Sequence, residues 1–181
     1  MHNFKEYIDQ AKLTAIYPKE TADLYLLNGI VSELGEVAGV LKKYIRDGFS
    51  TEELKQKLKA EVGDCFWYLA LICDDLYPLF PPEKFYIPCN FMVVKEQFSL
   101  NDLSLGLRTI FQALEATSKL YKGRQEEHIS DTYRTLIELF VILKNLCNLF
   151  NIQVGDILDL NIAKLKSRQE RQKLNGDGDY R

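Results

Sequence analysis

Between Leu27 and Ile45 the apolar residues fall three and four apart: Leu27, Ile30, Val31, Leu34, Val37, Ala38, Leu41 and Ile45. That spacing makes one buried face of a helix and cannot serve a strand. Gly48 ends the run after Arg46 and Asp47, and Ser50 or Thr51 opens another with Glu52 and Glu53 in its first turn, where acids meet the positive end of the helix dipole. The second run reaches about Leu76 and is apolar on every side from Cys65 to Cys73, so it is expected to be buried all round. Two long helices joined by so short a turn fold back as antiparallel neighbours. An all-α helical bundle follows.

The rest of the chain continues the pattern. A first helix is expected over residues 3–15, stopped by the turn around Tyr17-Pro18. The stretch YPLFPPEKFYIPCNFMVV holds four of the five prolines and several aromatics, so residues 77–100 read as a crossover packed on the bundle through its aromatics, with room for a short strand. Helices are then expected over 101–121 and 126–150, separated at Lys122-Gly123, and over about 154–173, before the polar tail NGDGDYR. The whole, 1–181, reads as one domain: an acidic hairpin (22–76), the crossover, a second hairpin (101–150) and a closing helix with its tail. The second hairpin resembles the first. Glu36, Leu41 and Lys43 fall on Glu115, Leu120 and Lys122, while Asp64, Phe66, Leu69 and Cys73 fall on Glu138, Phe140, Leu143 and Cys147. Read as an internal duplication, the second hairpin has lost two acids, with Gln112 and Thr135 where Glu33 and Glu61 stand.

A chain of 181 residues that is 46% hydrophobic can bury one sizeable core. Its net charge of -3 gives no general attraction to nucleic acid or an anionic membrane. The cysteines Cys65, Cys73, Cys89 and Cys147 lack CxxC spacing and read as small core residues of a reduced protein. The N-terminus shows no signal-peptide segment, and the Cys65–Cys73 run is shorter than the roughly 20 residues that span a bilayer. A soluble, cytoplasmic protein is expected, with no nucleic-acid or membrane partner.

Four carboxylates stand out against this background. Glu33 and Glu36 sit three apart on the first helix of the hairpin, Glu61 and Asp64 three apart on the second. Residues i and i+3 share a side of a helix, so in an antiparallel pair both sets can face one space. Converging acids in a low-dielectric place either bind protons or need a cation. A single ExxE is commonly no more than a solvated face. Gly35 and Gly63, however, lie inside each pair, where glycine costs roughly 1 kcal/mol against alanine, and a glycine there permits close helix approach. An all-oxygen set favours a hard ion, magnesium (Mg2+) before manganese (Mn2+).

ELGE followed by EVGD, then aromatics and DILDLNIAKLKSR, resembles the MazG-like all-α nucleoside triphosphate pyrophosphohydrolases, whose relatives include dimeric dUTPases and dCTP pyrophosphatases. The likeness covers residues 4–76 and 151–181; the segment 77–150 departs from the short members, which puts the substrate pocket and the assembly in question. The resemblance implies a magnesium-dependent cleavage of an NTP or dNTP between its α and β phosphates, giving a monophosphate and pyrophosphate. Glu33, Glu36, Glu61 and Asp64 match the motif and would hold metal, with Glu33 or Glu36 handling the water. Lys43, two turns beyond Glu36, and Asn161, Lys164 and Arg168, on one side of the last helix, are candidates for the phosphates. For Lys164 and Arg168 the plain alternative is a solvated basic helix end. Asn161, between Leu158 and Leu165, should point inward and need a partner. Tyr68, one turn beyond Asp64, is either core or a substrate contact. The GDGD tail reads as a mobile end.

Two other classes compete. A non-catalytic helical module binding nucleotide or protein has no need to concentrate negative charge. A di-iron bundle calls for Glu-x-x-His on helices, and neither His2 nor His128 stands three residues after a helical glutamate. The assembly is open: a duplicated chain could supply its own four-helix core where short family members need a partner subunit, and a homodimer is the expectation carried forward.

Overall fold

A computed structural model describes residues 3–77, 85, 98–126 and 129–173, the side chains of 123–126 and 129–131 excepted. Among these there are six α-helices and no strand: α1 (Phe4–Ala11), α2 (Ala22–Asp47), α3 (Thr51–Leu71), α4 (Leu100–Glu126), α5 (Ile129–Leu149) and α6 (Val154–Glu170). The all-α expectation holds.

The first hairpin closes as its residues direct. Gly48 takes a left-handed φ of 62° and its N–H bonds back to the Tyr44 carbonyl at 3.0 Å, the usual glycine ending of a helix. Ser50 is the cap of α3, its hydroxyl accepting the Glu53 N–H at 3.1 Å. In the second hairpin, Ser99 and Asp102 cap α4 reciprocally, a capping-box arrangement. The two hairpins form a four-helix bundle in which α2 packs on α3, α3 on α5, α5 on α4 and α4 on α2. Asn151, at φ 56°, ends α5, and the chain turns by 102° into α6, which lies on α3 and α1. Of the described crossover residues, the aromatics Tyr77, Phe85 and Phe98 are buried, as expected of a segment held by its aromatics, while Ser99 and Leu100 are exposed. The expected short strand falls mainly outside the described residues.

Several expectations need correction. The first helix stops at Ala11 and passes into a 3₁₀ turn, Lys12–Thr14. There the Thr14 hydroxyl bonds the Ala11 carbonyl at 2.7 Å and accepts the Trp67 indole N–H at 2.9 Å. The last turn of the second helix is a π turn, Ile72–Leu76. Its Asp74 and Asp75 bind Lys12 and Lys19 of the lead-in segment. α4 runs through Lys122-Gly123 to Glu126: one glycine costs a helix only about 1 kcal/mol and does not stop it. Val31 and Ile45, assigned to the buried face of α2, are 44% and 61% exposed. They lie at the margin of an arc whose centre is Leu26, Ile30, Leu34 and Val37, all fully buried.

Positions matched between the two hairpins share their burial: Leu41 with Leu120, Phe66 with Phe140, Leu69 with Leu143, and Cys73 with Cys147 are all buried. Cys65, Cys73 and Cys147 are free thiols in the core; Cys89 lies outside the described residues. One stretch, Lys19–Asp47, is apolar and long enough to cross a membrane by length and composition. It is also the helix that gives Leu26, Ile30, Leu34 and Val37 to the core.

Candidate metal centre

Glu33 lies about as far before the Gly48 turn as Glu61 and Asp64 lie after it, so antiparallel α2 and α3 bring the three together. One carboxylate oxygen of each lies within 4.8 Å of the others, and all three side chains are half-buried. A third helix closes the site. A Cβ on Gly63 would stand 3.2 Å from Cβ and Nδ2 of Asn161 and 3.4 Å from Ile157. The missing side chain therefore lets α6 approach α3 closely, as expected for Gly63. Gly35 does not act this way, for a Cβ there would meet nothing within 4 Å.

That approach lets α6 grip Asp64. The Asn161 Nδ2 donates to Asp64 Oδ1 at 2.8 Å, and Lys164 Nζ donates to both Asp64 oxygens at 2.7 and 2.6 Å. The Tyr7 hydroxyl donates to Asn161 Oδ1 at 2.8 Å. With its oxygen so engaged, the amide can present only its NH₂ to Asp64. Asn161 is buried, as expected of it, and Tyr7 and Asp64 are its partners. Tyr7 was not legible as a site residue. On α1 it sits with Phe4, Ile8 and Ala11 on the buried side, and no spacing rule shows that a core ring ends in a polar contact.

Burial first, then the charges of Asp64, Glu36 and Glu61, pushes the Glu33 carboxyl up to about 8, with Lys164 pulling the other way. Three ionised carboxylates against one ammonium leave two negative charges, which one divalent cation neutralises. The donors fit such an ion: all are oxygen, and opposed ligands about magnesium stand about 4.2 Å apart, close to the spread of the triad. Lys164 stands where a cation is wanted.

The comparisons with known proteins reach only part of the chain. It is similar to the Gene 37 protein of Mycobacterium phage L5, 43% identical over 54 residues. That stretch is 29% of this chain and 47% of the phage protein, so the chain spans about half the length of the curated relative it matches. No protein-family profile matches the chain, and no solved structure matches it.

The remaining candidates are dispersed. Glu36 is exposed, one turn from Glu33, and acts on it through charge. Tyr68 is half-buried and lies over Gly29, where a Cβ would fall 2.1 Å from its ring. Burial, then its bond with Tyr25, holds its hydroxyl well above the usual range, and the charges of Glu33 and Asp64 reach it too. It therefore borders the acid cluster. Lys43 is exposed near the end of α2, where its charge acts on Asp47. Arg168 is not the solvated helix end weighed above; it is 4% exposed. It sits about 10 Å along the α6 axis from Asn161. The GDGD tail and both histidines lie outside the described residues.

Gly63→Ala tests the closeness of α3 and α6. The new methyl presses on Asn161, so α6 must shift by a few tenths of an ångström or the amide must leave Asp64. Overpacking of this kind costs roughly 1–3 kcal/mol. The expected result is a lowered melting temperature together with weakened magnesium binding; a variant unchanged in both would show that the helices are not in contact there.

Proposed function

We propose that the chain is a magnesium-dependent nucleoside triphosphate pyrophosphohydrolase, cleaving between the α and β phosphates to leave a nucleoside monophosphate and pyrophosphate. The observation that carries this reading is the half-buried triad Glu33, Glu61 and Asp64, whose carboxylates, once all are ionised, exceed Lys164 by two negative charges. A triphosphate is itself polyanionic, so such a site can receive it only through cations. Bound magnesium, or manganese, would supply charge neutralisation at the phosphate and a more acidic water.

The chain's own groups do the rest. Asp64, held by Asn161 and, through it, by Tyr7, is a ligand of fixed orientation, as supported ligands of metal sites are. Glu36 lies outside the triad and one turn from Glu33, and either glutamate can hold the attacking water and take its proton. The water oxygen bonds to the α-phosphorus, the bond to the bridging oxygen breaks, and pyrophosphate leaves with that electron pair. Lys164, now bonded to both Asp64 oxygens, stands beside the site and would be the donor to a phosphate oxygen. Tyr68 borders this space. A cytoplasmic setting and a homodimer accompany this reading. The likeness to the phage protein covers too little of either chain to add an activity.

The test is product analysis by chromatography after incubation with magnesium and a panel of canonical and modified nucleoside triphosphates, with Asp64→Asn alongside. Monophosphate and pyrophosphate, lost in the variant, are expected. Diphosphate and inorganic phosphate would mean that another bond is cut. Magnesium binding without turnover on any substrate would favour the non-catalytic module.

A further inference from the structure

Two stripes of side chains run side by side along the acidic hairpin. On α3, Glu53, Lys57, Glu61, Asp64 and Tyr68 follow one another at steps of four, four, three and four, which keeps them on one side of a helix. On α2, Tyr25, Gly29, Glu33 and Glu36 do the same at steps of four, four and three. Their contacts fix the register. The Tyr68 ring lies over Gly29, the Tyr25 and Tyr68 rings stand 6.1 Å apart, and Glu33 meets Glu61 and Asp64 in the triad. The helices are antiparallel, so a step toward the Gly48 turn on one matches a step on the other. Lys57 is therefore the next side chain of its stripe beyond the triad, one turn or about 6 Å from Glu61 along the axis. Lys43, on α2, comes closer still to the turn. Lys55, only two residues from Lys57, falls on the opposite side of α3.

The groove between the stripes has unlike ends. Toward the start of α2 it is aromatic, with Tyr17 stacked on Tyr25 and Tyr25 beside Tyr68. The lysines at that end, Lys12 and Lys19, are paired with Asp74 and Asp75. Toward the turn the groove is basic. Lys57 Nζ lies 3.5 Å from the Glu53 carboxylate and 5.6 Å from the centre of the Phe49 ring, with 45% of the side chain exposed. An exposed pair of this kind is weakly held, and a change of rotamer carries the ammonium from Glu53 toward the triad.

A nucleoside triphosphate is highly charged at one end and nearly neutral at the other. With its α phosphate at the triad, its outer phosphates belong at the lysine end of the groove. We propose that Lys57 is a phosphate-binding residue of this centre, donating to the β and γ phosphates, so that pyrophosphate departs toward the Gly48 turn. This direction rests on the pyrophosphohydrolase reading and adds to it, since the triad alone does not say which way the substrate lies. When the bond to the bridging oxygen breaks, its electron pair stays on the pyrophosphate, and the ammonium offsets the charge that develops there.

Calorimetric titration of the full chain, with magnesium present, tests the assignment. The probes are the α,β-methylene analogues of the common deoxynucleoside triphosphates, which keep the outer phosphates but resist cleavage at this bond, and the matching monophosphates. Lys57→Met is expected to weaken the triphosphate analogues about ten- to hundredfold, the worth of a hydrogen bond to a charged group. Binding of the monophosphates, and of magnesium by itself, should not change. Lys57→Arg should recover most of the loss, and Lys55→Met, which removes the same charge from the opposite side, should bind as wild type. A Lys57→Met protein that holds the triphosphate analogues as tightly as wild type, or loses mono- and triphosphate alike, would overturn the assignment and leave the hydrolase reading standing. So would an equal loss in Lys55→Met, the mark of general charge attraction. A wild-type protein that binds magnesium but none of these nucleotides would overturn both.

Discussion

Glu33→Gln is expected to raise the melting temperature of the metal-free protein at pH 8 and to remove its response to magnesium. The carboxyl titrates near 4.5 ordinarily and near 8 in the fold, so between these values the folded state holds the proton and the unfolded state does not. Stability of the metal-free protein therefore falls as pH rises from about 4.5 to 8. Discounted for the half-exposed setting of the group, the loss is on the order of 2 kcal/mol. In a chain of this size that is roughly 4–8 °C. Glutamine carries no charge to bury, so the slope should flatten. Magnesium must displace the same proton, so its stabilising effect in the wild type should grow with pH over the same window. Thermal melts from pH 5 to 9, with and without magnesium, read all of this. A wild-type melting temperature that rises steadily to pH 8 without metal would contradict the electrostatic account of the site.

Phe66→Ala should be among the most damaging single changes. The ring is fully buried and meets Phe4 of α1 and Phe140 of α5 edge-on, with centroids 6.2 and 5.8 Å away. Phe85 of the crossover stacks into the same group, 4.8 Å from Phe4 and 4.6 Å from Phe140. The four rings thus join four separate segments of the chain, and Phe66 ties α3 to two of them. Deleting a buried phenylalanine costs roughly 3–5 kcal/mol, a large share of a stability of about 5–15 kcal/mol. Denaturant unfolding should show a clearly lowered midpoint. A loss under about 1 kcal/mol would mean that these segments do not share a packed core.

Much of this was legible in the sequence because it is written locally. Spacing of three and four, Gly48 and the Ser50 cap locate the first hairpin, and Asn161 between two leucines announces an inward amide. What depends on another element's position was not legible. Nothing near Gly35 or Gly63 says that α6 approaches one and leaves the other bare. Tyr7 looks like any core aromatic, and Arg168, in a run rich in lysine and arginine, looks like a solvated end until the fold buries it. Gly123 shows the reverse error, in which a residue that disfavours helix was read as ending one. The convergence of Glu33, Glu61 and Asp64 was expected from their spacing, but the separation of Glu36 from them depends on how α2 is rotated about its axis.

Asp64 and its lysine are a hundred residues apart in the chain, and Tyr7 and Asn161 are separated by 154. At about 5–20 residues per second of synthesis, Asp64 is made roughly 5–20 seconds before Lys164. For that interval the nascent chain carries its carboxylates with no built-in counter-charge. Their repulsion is then relieved from the surroundings alone, until the final helix brings Lys164 to Asp64.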